Sequence, residues 1–175
     1  HETIASEDGK TMAYADADAP TIVHHGYAVG REVLARKASR NVELLERARQ
    51  RDRAGGYYAY KLAQHAISDR NRDEAREWLR QSVAEASTVS SPARFIVTAA
   101  DLLARMLIED ARKQAAREAA RLLLDEAEVA VVRTIAHYPE ATPLWLRLAE
   151  AAAERGDLSA AARTYSTILS RTPDN

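Results

Sequence analysis

The sequence predicts an all-α protein, a solenoid of helical hairpins preceded by a short N-terminal segment with one or two strands. Three observations carry that expectation. Five of the six glycines fall before residue 57, so the chain changes character there. Beyond that point it is rich in alanine, leucine, arginine and glutamate, all good helix formers. Residues 142–175 then read as one helix–turn–helix unit with an apolar stripe on each helix. A single hairpin of that kind cannot bury both faces and needs neighbours.

The elements follow in chain order. Residues 1–20 are polar, and "SEDGK" has turn composition. "TMAY" and "TIVHH" are the only stretches with strand character, short and partly β-branched. From about Val29 the spacing becomes helical. Val33, Leu34, Lys37, Ala38, Asn41, Leu44, Leu45 and Ala48 recur near the period of a helix, and "ERARQRDR" is its solvated end. Gly55-Gly56 breaks the chain. Helices are then expected near 57–69, 72–86, 92–108, 111–137, 142–155 and 158–170. Ser91-Pro92 and Thr142-Pro143 each place an N-cap before a proline at the first helical position. Gly156-Asp157 stops one helix and caps the next, and Pro173 closes the last. Ala93 to Tyr138 has neither glycine nor proline, and Asp110 is the expected break within it.

Composition excludes several classes. The chain has 175 residues, 46% hydrophobic and 29% charged, a globular mixture. The net charge of −1 provides no bulk field for nucleic acid or an acidic membrane. There is no cysteine, hence no disulfide framework and no thiolate chemistry. No apolar run approaches the ~20 residues of a membrane span. "FIVTAADLLARMLI", the most apolar stretch, carries Asp101 and Arg105. The start "HETIASEDGK" is polar and shows no signal peptide, and a cytoplasmic location is expected.

The internal repeat is clearest in "TPLWLRLAEAAAERGDLSAAARTYSTILSRTPDN". Leu144, Trp145, Leu148, Ala149 and Ala152 form one stripe, and Ala161, Tyr165, Ile168 and Leu169 the other. Ala149 and Ala161 let the two backbones approach, and the large residues fill the seams between helices. The stretch resembles a tetratricopeptide repeat over its whole length through Trp145, Leu148, Ala149, Gly156, Asp157, Ala161, Tyr165 and Pro173, with Ala152 in place of the usual tyrosine. A weaker copy runs from Tyr57, with Leu62, Ala63, Ala66, Ala75 and Leu79 in place, "RNR" instead of the turn glycine, and Ser82 where a small apolar residue is usual. Ala127, Val131, Ile135 and Pro139 match the second helix of another. About three hairpins are expected.

The front carries a second resemblance. His1-Glu2, then His24-His25-Gly26-Tyr27, then Arg36, Lys37, Arg40, Asn41, Leu44, Leu45 and Glu46 follow one another ahead of the repeats. That order resembles the C-terminal edge of bacterial family 2 glycosyltransferases with a tetratricopeptide tail, over residues 1–48. The resemblance implies three parts: 1–28 as the edge of an upstream glycosyltransferase domain, 29–54 as a linker helix, and 55–175 as helical repeats. It further implies a nucleotide-sugar donor and a divalent metal for the intact enzyme, both bound upstream, with no cofactor in this segment. By the same resemblance His1, Glu2 and His24 are catalytic-domain positions, and His1 is a metal or diphosphate ligand in the intact enzyme. The segment would dock on the catalytic domain and hold a protein, peptide or glycan acceptor, a partner, or a second copy of itself, without turning over alone. The alternative is a free-standing repeat scaffold for a protein or peptide.

Other candidate sites have plainer readings beside them. His1 is also a chain terminus. Strand geometry sends His24 and His25 to opposite faces, so they do not share a metal without a bend, and His65 and His137 lie on separate helices. "DAD" at Asp16–Asp18 follows the His-Glu pair, the wrong side for that family's metal motif, and reads as a polar loop. Arg31, Arg36, Lys37 and Arg40 share their helix with Glu32, Glu43 and Glu46 and read as a solvated face. Tyr57, Tyr60, Gln64 and Ile67 fall where tetratricopeptide repeats line their groove, and two readings stand: anchors for a bound peptide, or a seal between the front helix and the first repeat. The matching positions of the last repeat, Pro143, Leu146, Glu150, Ala153 and Glu154, lack Lys/Arg carboxylate-clamp chemistry.

Overall fold

A computed structural model describes residues 31–52 and 54–171. The expected strands, the histidine pair and the His1-Glu2 positions lie outside those residues. The chain divides into two compact units, residues 1–37 and 38–175. Of the first, the described part is the opening of α1.

Every regular element among the described residues is a helix, with no strand. α1 spans Arg31–Arg51, and a 3-10 turn follows at Ala54–Gly56. Then come α2 (Tyr57–Ser68), α3 (Arg72–Ala86), α4 (Phe95–Arg112), α5 (Arg117–Ile135), α6 (Thr142–Glu154) and α7 (Leu158–Arg171). Within the second unit, α2 packs on α3, α4 on α5, and α6 on α7. The hairpins join through α3–α4 and α5–α6 contacts, and the first helices also touch one another, α2 on α4 and α4 on α6. The result is a repeat-like stack with α2, α4 and α6 along one side. Leu79, Leu103, Leu107, Ile108, Val131 and Leu144 are fully buried in the core that runs through it. Ala149 and Ala161 are buried, as a close approach of α6 and α7 requires.

Two turns show one solution reached with different residues. In the last hairpin Gly156 takes φ +84°, its N–H bonds to Ala153 O, and the Asp157 N–H reaches back to Ala152 O. In the first, Arg70 takes the same left-handed conformation at φ +60°, bonds to Ile67 O, and the Asn71 N–H reaches Ala66 O. Both satisfy the last carbonyls of the preceding helix. Each is followed by an N-cap: Asn71 Oδ1 accepts from the Glu74 N–H at 3.4 Å, and Asp157 Oδ1 from the Ala160 N–H at 2.9 Å.

Ser82, out of pattern in the sequence, has a structural reason. It is fully buried, and its hydroxyl donates to the Gly56 carbonyl at 2.9 Å. Gly56 itself has φ +89°, and a Cβ there would lie 2.3 Å from Ser82 O. The 3-10 turn and α3 therefore meet backbone to backbone, with one hydroxyl satisfying the carbonyl that this contact buries.

Three sequence expectations need correction. α4 begins at Phe95 rather than at Pro92. Pro92 is buried, its carbonyl accepts the Tyr138 hydroxyl, and the turn bonds Ile96 N–H to Ala93 O and Val97 N–H to Arg94 O lead into the helix. The break between α4 and α5 lies at residues 113–116, beyond Asp110. Asp110 is helical and ties α3 to α4, accepting from Arg72 Nη2 at 3.1 Å and from Arg76 Nη1 at 2.5 Å. Tyr165 and Leu169, expected in seams, are 39% and 70% exposed.

Candidate partner-binding face

The four groove positions are on α2, and the structure treats them unequally. Gly55-Gly56 delivers the chain to Tyr57 at the first position of the helix. Residues 57, 60/61 and 64 recur at helical spacing, which brings Tyr57, Tyr60, Lys61 and Gln64 onto neighbouring positions. Tyr60 is only 9% exposed and belongs to the core. Its ring stacks on Phe95 of α4, centroids 5.4 Å apart. Tyr57 meets the same Phe95 edge-on at 5.6 Å but keeps 40% of its surface exposed. Ile67, a turn further on, is 38% exposed and outside this cluster.

Gln64 is a fixed connector. Its Nε2 donates to the Tyr60 hydroxyl at 3.0 Å, and its Oε1 accepts from Lys61 Nζ at 3.1 Å. The Lys61 ammonium also sits 5.6 Å from the Tyr57 ring centroid, a cation–π contact. The buried phenol therefore sets the amide, the amide sets the ammonium, and the ammonium borders the exposed ring. A half-exposed aromatic beside a cation, both held by partly buried partners, is chemically suited to a side chain that is apolar at one end and anionic at the other.

Phe95 is the residue that sequence reasoning missed. It is 35 positions from Tyr60, and only the packing of α4 against α2 brings it there. A signal existed: it is the chain's single phenylalanine, at the head of the most apolar helix.

Further along the same side the chemistry changes from aromatic to ionic. Arg147 of α6 donates to Asp101 of α4 at 2.8 Å and to Glu150 at 2.7 Å. Burial works against the Arg147 charge, but its hydrogen bonds to both carboxylates outweigh that and hold its pKa above the ordinary arginine value. Glu154 pairs with Arg112 at 2.7 Å. These acids are neutralised within the chain and do not offer free charge to a ligand. Arg80, bound through both Glu126 oxygens at 2.6 and 2.9 Å, joins α3 to α5 in the same way, and that bond raises its pKa.

The remaining candidates separate. Arg36, Lys37 and Arg40 are exposed on α1. His65 is on α2 and His137 follows α5. Among the described residues no three His, Asp or Glu side chains stand together as a metal site, and no helix is long and apolar enough to cross a membrane. His1, Glu2 and His24 lie outside the described residues. No protein-family model matches this chain, and no curated protein matches it.

Proposed function

We propose that residues 57–171 are a tetratricopeptide-like docking scaffold. They would form the C-terminal region of an enzyme that transfers sugar from a nucleotide-sugar donor. The scaffold supplies binding and no chemistry of its own. The observation that carries the docking role is the Tyr57–Phe95–Lys61 cluster, an exposed aromatic packed edge-on against Phe95 beside a part-buried cation that Gln64 holds. The segment it fits carries an aromatic or aliphatic side chain next to a carboxylate. Preorganisation favours such a site because little rotamer freedom remains to be lost on binding. The transferase half rests on the succession, along the sequence, of His1-Glu2, His24-Gly26-Tyr27 and Arg36 to Glu46.

The two halves are tested together in the intact protein with nucleotide sugar and a divalent metal. Tyr57→Ala with Lys61→Glu is expected to leave donor binding intact and to reduce transfer to the acceptor at least tenfold. Unchanged transfer refutes docking at this face. An intact protein that binds no nucleotide sugar refutes the transferase. Tyr60→Ala is the wrong probe, because emptying a buried aromatic site costs about 3–5 kcal/mol and tests folding instead.

A further inference from the structure

The second helices of the last two hairpins share a register. Leu124, Val131 and Ile135 on α5 precede Leu158, Tyr165 and Leu169 on α7 by 34 residues each. On α5, with α6 packed against it, Leu124 and Val131 are 3% and 1% exposed and Ile135 is half-buried. On α7 the equivalent Leu158 and Leu169 are each 70% exposed, and Tyr165 is 39% exposed. With exposed Ala162 they recur at spacings of four, three and four, a continuous stripe along one line of the helix. The stripe is about a fifth of a turn from Ala161, the buried residue of α7. Ser159, Arg163, Ser166 and Ser170 form a separate polar face. The apolar surface of α7 therefore extends past the side that its own hairpin buries.

The stripe is complementary to its own reverse. Positions 158 and 169 share a midpoint with positions 162 and 165. We propose that α7 pairs antiparallel with α7 of a second copy of this chain, about a two-fold axis between Arg163 and Thr164. Leu158 then faces Leu169 of the partner subunit, and Ala162 faces Tyr165 of the partner subunit, small against large at both inner positions. Asp157 begins the helix and Arg171 ends it. Antiparallel pairing sets unlike charges and opposed helix dipoles at each end, whereas parallel pairing sets like against like. The pairing uses a different helix from the Tyr57 face and is independent of the docking role.

The chain has no cysteine, so introduced ones report cleanly. Sedimentation equilibrium of the full chain is expected to show a monomer–dimer equilibrium. Leu158→Glu and Leu169→Glu each weaken association at least tenfold, without loss of helicity because both sites face solvent. Under oxidation, Leu158→Cys mixed with Leu169→Cys forms a disulfide-linked dimer faster than either variant alone. Three results overturn the proposal. One is a chain that stays monomeric at every concentration, its stripe left for a further helix or a foreign partner. Another is a dimer indifferent to both glutamates. The third is preferential crosslinking of Leu158→Cys to itself, which marks parallel pairing. Should a glutamate variant fail to fold, the cysteine arm still decides.

Discussion

The first and last hairpins have the same turn and opposite surroundings. Both reverse the chain through a left-handed residue followed by an N-cap, Arg70-Asn71 in one and Gly156-Asp157 in the other. In the first, α3 buries Ala75, Leu79, Ser82, Val83, Glu85 and Ala86; in the last, α7 buries Ala161 alone. The difference teaches that local geometry is set by the turn, while the energy of each helix is set by its neighbours. α3 lies between α2 and α4, and α7 packs on α6.

The largest expected effect puts that difference to a direct contrast. Leu79→Ala removes a fully buried side chain and is expected to cost about 3–4 kcal/mol. Leu169→Ala, 70% exposed, is expected to change monomer stability by less than about 0.5 kcal/mol. Urea denaturation of both checks this, and equal losses would erase the distinction. Next comes the close contact that only the first hairpin has. Gly56→Ala places a Cβ against Ser82 O at a positive φ and is expected to cost about 2–3 kcal/mol in the same measurement.

The turns themselves give smaller effects of opposite sign. Arg70→Gly is expected to raise stability by up to about 1 kcal/mol, because a residue with a Cβ is strained at φ +60°. Gly156→Ala is expected to cost about 1 kcal/mol for the same reason, although its Cβ would meet no neighbouring atom. Thermal melts that move both variants the same way would contradict the shared geometry.

The smallest effect is a pH dependence of one cap. Hydrogen bonds from the Ala160 N–H and the Ser159 hydroxyl hold the Asp157 carboxyl below the usual aspartate value. A lowered folded pKa means that its contribution is present above the ordinary value of about 3.9 and is lost as pH falls through the lower, folded one. The start of α7 should therefore lose amide protection below about pH 4, whereas α3, capped by uncharged Asn71, should not lose it from this source. Asp157→Asn should remove the pH dependence of α7, and a variant that still frays with the wild-type profile would count against the cap.

Much of the architecture was legible because the punctuation is local. Gly55-Gly56, Gly156-Asp157 and the alanine-rich spacing placed the ends of α2, α3, α6 and α7 within a residue or two. The α4–α5 boundary was not legible because residues 113–116 contain no glycine or proline, and the most polar candidate, Asp110, answers to Arg72 and Arg76 across the core. Half of the candidate site was legible for the same reason. Helical spacing grouped Tyr57, Tyr60 and Gln64, but spacing on one helix does not say which ring is buried. Phe95 decides that: it covers Tyr60 and leaves Tyr57 open, through packing between helices that no local pattern records.

Docking at the Tyr57 face is tested most directly by a benzophenone amino acid in place of Tyr57 in the intact protein in its native host, with the same probe in place of Arg163 on the polar side of α7. Docking requires a discrete adduct from position 57 that disappears with Lys61→Glu and is absent from position 163. No adduct from position 57, or the same adduct from both positions, would contradict it.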